Sequence, residues 1–201
     1  MRALLGQAAR WRFGLPWYVV ALVLTVALDL IALLGSPAAA LGTVQAQLLL
    51  PLAPLGEEFG WRGYALPRLQ RFMGALPASL VLGVIWACWH LPYFAYPSIH
   101  PLPFGIGFPL FVVVITCESV LATWIYNSTG GSLLATILFH KGIHLGDPIP
   151  VESTVTSAIA QAVVFVVAVV VVVALAGPSR LAGRRSHVLP ASRPELRTAS
   201  G

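Results

Sequence analysis

Six long apolar runs constrain this chain more than any other feature: residues 15–34, 44–60, 75–94, 104–126, 132–145 and 155–176. A helix needs about 20 mostly apolar residues to cross the hydrocarbon core of a bilayer. Five of the six runs come near that length, and the fifth in order is short and leans on its neighbours. Lipid offers the backbone no hydrogen bonds, so such runs fold as helices that satisfy their own peptide groups. Only 9% of the residues are charged and 58% are hydrophobic, whereas a soluble domain carries roughly a quarter charged residues. The expectation is an all-α, polytopic transmembrane bundle of about six helices, with the active site inside the membrane.

The cations set the orientation. Of the 12 Lys and Arg, all but Lys141 sit at the N-terminus, between runs two and three, or in the C-terminal tail. Cytoplasmic loops are enriched in Lys and Arg, so six spans with both termini cytoplasmic satisfy that bias. The net charge of +5 reads as a topology signal and not as a nucleic-acid surface. Three regions follow: a cytoplasmic N-terminal segment (1–14), a membrane domain (15–176) and a basic, disordered tail (177–201). The setting is an integral protein of a bacterial plasma membrane. Cys88 and Cys117 both fall within runs and read as buried apolar fillers. The last run is almost pure Val and Ala, so most of its surface should face lipid.

Ionisable side chains are costly inside a bilayer and mark function by default. Here Asp29, Glu57, Glu58, Glu118, His90, His140 and His144 fall in or at the ends of runs. Glu58 and Arg62 stand four apart with the acid first, the favourable order for a helical ion pair. That leaves Glu57 free to face a cavity as the chemical residue. Pro51 and Pro54 free backbone carbonyls just before it, which points either to a polar cavity or to a packed kink. Trp86 lies one turn before His90 and can brace its imidazole, while Pro92 should end that helix. His140 and His144 are also one turn apart, a spacing that lets two imidazoles reach one zinc ion. Lys141 stands where a zincin carries Glu, so an activating carboxylate must come from another helix. Asp29 reads as an interhelical contact.

If runs two and three form an antiparallel hairpin, Glu57 and His90 lie level, since their midpoint falls between Met73 and Gly74. Glu118 and His140 have their midpoint at Thr129, inside the next turn. Both hairpins thus put an acid beside a histidine. A desolvated carboxylate beside imidazoles can activate water. Glu57 would be the general base. His90 and His140 would hold the water or a divalent metal such as zinc. His144 would complete the metal triad or donate to an oxyanion.

Glu57-Glu58-x-x-x-Arg62, then Trp86-x-x-x-His90, then His140 on successive helices resembles the CAAX protease and bacteriocin-processing (abortive-infection) family. The context Arg62 to Leu69 and Asn127 to Leu133 is similar as well, and the likeness runs over about residues 49–144. The resemblance implies an intramembrane endopeptidase acting on a membrane-bound or lipidated peptide. In that family Asn or Asp commonly follows the third-motif His by four residues, where this chain has His144, and Phe is common where it has Trp86. Glu118 is not a family motif residue and reads as a partner of His140. Two other functions compete: a non-catalytic membrane immunity or scaffold protein on the same fold, and an ion or proton transporter. The transporter is disfavoured because no internal repeat is present.

Overall fold

The computed structural model describes residues 2–32, 53–95, 102–146 and 154–183. Among these residues the chain is helical throughout, with no strand. Helix α1 (Arg2–Ala8) is followed by α2 (Leu15–Ala32), α3 (Ala53–Glu58), a π-helix (Phe59–Ala65) and α4 (Leu66–Leu69). Then come α5 (Ala75–Trp89), a 3-10 turn (Leu91–Ala95), α6 (Phe104–Ser128), α7 (Leu133–Gly146) and α8 (Val155–Ala176). The helix of the last run starts and stops where its apolar residues do. Thr154 caps it, its side chain accepting from the Ser157 N–H while Ser157 accepts from the Thr154 N–H. That reciprocal arrangement satisfies donors a helix start otherwise leaves orphaned.

Among the described residues three helical stretches are long and apolar enough to cross a membrane, Ala75–Ala95, Phe104–Ser128 and Val155–Ala176, and two shorter apolar ones cover Leu15–Ile31 and Leu133–Ile143. Lipid is the solvent that this surface fits. Helix α5 exposes Val81, Val84, Ile85 and Trp89, and α8 exposes a band of valines while burying Ala162 and Phe165. Polar groups are turned inward instead. Asp29 of α2 accepts from the Gln161 amide of α8 at 2.8 Å, the interhelical contact expected of it. Cys117 is buried as expected, but Cys88 lies on an exposed face of α5, so only one of the two thiols fills the core.

Helix α7 packs between α2 and the α3–π segment, α5 lies along α6, and α6 also packs on α8. Glycines set two of these approaches. A Cβ on Gly83 would meet the Thr116 Cα at 2.7 Å, and one on Gly142 would meet Thr25 Oγ1 at 2.8 Å and the Ala21 carbonyl at 3.1 Å. The backbones of α5 and α6, and of α7 and α2, thus meet where a side chain is missing, the usual way membrane helices gain close packing.

Two sequence expectations need correcting. Run two was expected to end at Gly60, yet the helical path continues to Leu69 and widens into a π-helix over Phe59–Ala65. Its signature bond runs from the Leu66 N–H five residues back to the Trp61 carbonyl. Pro67 has no N–H to return to Gly63, and Gly60 and Gly63 add no side-chain crowding, so the wider turn meets little resistance. The tail, expected to be disordered from Gly177, is docked over its first seven residues. Leu181 is fully buried against Ala75 and Val120. Residues 184–201 and Pro51 lie outside the described residues.

Candidate active site

The site is built where the α3–π segment, α5 and α7 converge. Glu58, the last residue of α3, is fully buried. Its Oε1 accepts from Arg62 Nη1 at 2.7 Å and from His140 Nδ1 at 2.9 Å. The first contact is the i, i+4 pair read from the sequence. The second joins α3 to α7, and no spacing in the chain announced it. The carboxylate seated on His140 Nδ1 is that of Glu58. Glu118 itself is buried on α6.

Trp86 sits at the centre. It is 2% exposed. The Arg62 guanidinium carbon stands 4.5 Å from the centre of its indole, and the His140 ring meets it edge-on at 5.1 Å. Its N–H donates to Glu57 Oε2 at 2.9 Å. Glu57 and Trp86 thus stand at one level, a turn away from the level predicted for Glu57 and His90.

His90 closes α5 as its C-cap, with backbone φ −85° and ψ −2°. Pro92 follows two residues later within the 3-10 turn, so the helix ends where the proline requires. His90 Nδ1 donates to the Trp86 carbonyl at 2.9 Å. Trp86 therefore braces His90 through its backbone; the two rings are tilted with centroids 6.1 Å apart. Phe111 of α6 meets the imidazole edge-on at 5.3 Å, and Tyr93 lies 5.8 Å away. Both were missed in the sequence because nothing in one chain says which aromatic of a distant helix will lie there.

Chemically, the two histidines are alike. Each gives its Nδ1–H to a fixed acceptor, a carbonyl for His90 and a carboxylate for His140. That leaves the Nε2 of His90 as the nitrogen that can meet a water or a metal. Outer hydrogen bonds of this kind fix the tautomer and aim the ring. Among the described residues no three His, Cys, Asp or Glu side chains converge as a metal site. His144 belongs to α7, but its side chain lies outside the described ones, and the triad expected of it with His90 and His140 lies there too.

Among the described residues several buried donors and acceptors have no protein partner: Arg62 Nε and Nη2, Glu58 Oε2 and Trp61 Nε1. Buried polar atoms are almost always satisfied, by ordered water where protein fails. The cluster therefore has the polarity of a wet site in an otherwise apolar bundle.

A helical membrane bundle with an acid–histidine cluster between three of its helices is the class that fold and geometry define. Residues 39–146 match the family model for Rce1-like type II CAAX prenyl endopeptidases, and the chain belongs to that family. The matched stretch contains every site residue from Glu57 to His144. The chain is also similar to CAAX prenyl protease 2 of Methanococcus maripaludis, with 29% identity over 131 residues. That alignment covers 62% of this chain and 47% of the relative, so the chain spans about half the relative's length.

Proposed function

We propose that the protein is an intramembrane endopeptidase that hydrolyses a peptide bond in a membrane-bound or lipidated peptide, with Glu57 as general base. The observation that carries this reading is a half-buried Glu57 carboxylate bonded to Trp86, the residue that also accepts from His90 and meets the His140 ring. Family membership supports the substrate class. A water held by the Nε2 of His90 gives one proton to Glu57 as its oxygen attacks the scissile carbonyl carbon. Glu57 then passes that proton to the leaving amine as the C–N bond breaks. His140, held by Glu58, orients the same water, and His144 donates to the oxyanion. A carboxylate partly withdrawn from solvent among apolar helices is suited to this work as a general base.

A divalent metal, zinc foremost, is an alternative activator. His90, His140 and His144 would be the residues to hold it, and the metal would acidify the water. Elemental analysis of purified wild type and His140→Ala separates the two: stoichiometric zinc lost in the variant installs the metal, and its absence from both proteins leaves the carboxylate alone as activator.

The test of the main reading is Glu57→Gln, assayed on a quenched-fluorescent prenylated CAAX peptide in proteoliposomes. Loss of a general base costs at least about a hundredfold, with insertion and thermal stability retained. A fully active Glu57→Gln protein would overturn the assignment. A non-catalytic immunity or scaffold role on the same fold is the second reading, favoured by His144 in the position where the family commonly carries Asn or Asp. It predicts a binding function that survives Glu57→Gln.

A further inference from the structure

We propose that Trp86 is a positioning residue that selects which oxygen of Glu57 does the chemistry, an inference that rests on Glu57 being the base. The indole N–H occupies Oε2 at 2.9 Å. No other hydrogen bond to Glu57 is present among the described residues, so Oε1 is the oxygen left to take a proton. A carboxylate on a three-torsion side chain otherwise samples several orientations. One charge-assisted hydrogen bond from a rigid ring fixes both its direction and the identity of the working oxygen.

The ring is itself immobilised from both sides. The Arg62 guanidinium stands over it at 4.5 Å, and the His140 edge abuts it at 5.1 Å. Arg62 and His140 are in turn tied through the same Glu58 oxygen. The buried Glu58–Arg62–His140 group thus has a role beyond packing. It clamps the indole, and the indole aims Glu57. A phenyl ring at position 86 would keep the cation–π contact and the edge contact with His140 but would offer no donor to Glu57.

The experiment replaces Trp86 by 3-benzothienylalanine, an isostere with sulfur in place of the N–H, and makes Trp86→Phe and Glu57→Gln in parallel. Each full-length protein is reconstituted in proteoliposomes, and kcat and KM are measured on the prenylated CAAX probe with thermal unfolding alongside. The expected result for the isostere is kcat lowered about ten- to hundredfold, the range for losing a hydrogen bond to a charged group, with KM within about twofold and unfolding unchanged. Trp86→Phe should lose kcat to the same extent. Wild-type kcat in the isostere beside an inactive Glu57→Gln overturns this inference and leaves Glu57 as base. An isostere that unfolds early, with kcat and KM changed together, makes Trp86 a packing residue and also overturns it. Activity retained in Glu57→Gln removes both proposals at once.

Discussion

At the scale of single residues, the site is held by one shared oxygen. Glu58 Oε1 receives both Arg62 and His140, and all three side chains are buried. Breaking a buried ion pair by removing one partner leaves an uncompensated charge and costs about 3–5 kcal/mol. Arg62→Met is therefore expected to lower the unfolding temperature sharply in detergent and to abolish turnover with it. Arg62→Lys should recover only part, because a single ammonium cannot both span to Glu58 and lie flat over the Trp86 ring. Equal stability of wild type and Arg62→Met by thermal unfolding would refute the clamp. The Glu58–Arg62 half of this group was legible in the sequence because it is a spacing within one helix. The His140 half was not, because a single sequence does not say which of several apolar helices adjoin. Trp86 was read as a stacking brace, and its N–H, the more specific feature, has no meaning until its neighbour is known.

Helix boundaries were the most legible part of the chain at the scale of elements. Apolar length and Pro92 gave the end of α5, and α8 coincides with its apolar run. The π-helix over Phe59–Ala65 escaped notice, since an apolar pattern interrupted by Gly, Arg and Pro reads as the end of a span. Such widened turns commonly fall at functional sites, and this one carries Arg62 directly after the Glu57-Glu58 pair. Elsewhere the fit between elements is set by absent side chains. Gly83 allows α5 and α6 to meet, with the Thr116 Cα 2.7 Å from where a Cβ would stand. Backbone atoms cannot swing away as a flexible side chain does, so Gly83→Val must push the helices apart. Overpacking of this kind costs about 1–3 kcal/mol. Because α5 carries Trp86 and His90, the variant should lose activity beyond its loss of stability. Gly105→Ala, with nothing within 4 Å of its Cβ position, is the control. Thermal unfolding and turnover of the two variants, side by side, check this, and a Gly83→Val protein as stable and active as Gly105→Ala would contradict it.

For the whole molecule, the described segments before α2 and after α8 are gathered at one end of the bundle. The Arg10 guanidinium donates to the Gly130 carbonyl and Ser132 Oγ donates to the Arg10 carbonyl, so the N-terminal segment seats on the turn between α6 and α7. The segment after α8 seats on the start of α5 and the end of α6. There it does what no side chain of α5 does. Gly74 caps α5 without a side-chain acceptor, and the Ala75 and Leu76 N–H groups instead donate to the Ser179 and Pro178 carbonyls at 3.0 Å each. Helix starts leave such donors orphaned unless something supplies an oxygen. Asn127 adds a 2.7 Å bond to the Arg180 carbonyl. Leu181 accepts a backbone φ of 41°, a conformation that costs an L-residue roughly 1–2 kcal/mol, in order to place its side chain in the socket between Ala75 and Val120. Full burial of a leucine returns about 1.5–3 kcal/mol, so the strain is offset. Sequence composition could not show this, because Gly177 to Gly183 has the small, polar and Pro-containing character of a linker while its carbonyls do the capping. Truncation after Gly177 should therefore destabilise the protein by about 1–4 kcal/mol, from one lost leucine socket and two orphaned helix donors less the strain released at Leu181. Truncation after Gly183, which keeps the docked segment, is the comparison in the same measurement, thermal unfolding in detergent. Leu181→Asp in the full chain should reproduce most of the loss, since it empties the socket and leaves the capping carbonyls in place. If the two truncations unfold together, the segment contributes nothing and α5 begins without it. If only the shorter chain is weakened, the last helix of the bundle fixes the start of the helix that carries Trp86 and His90, and the end of the membrane domain lies near Gly183 and not at Ala176.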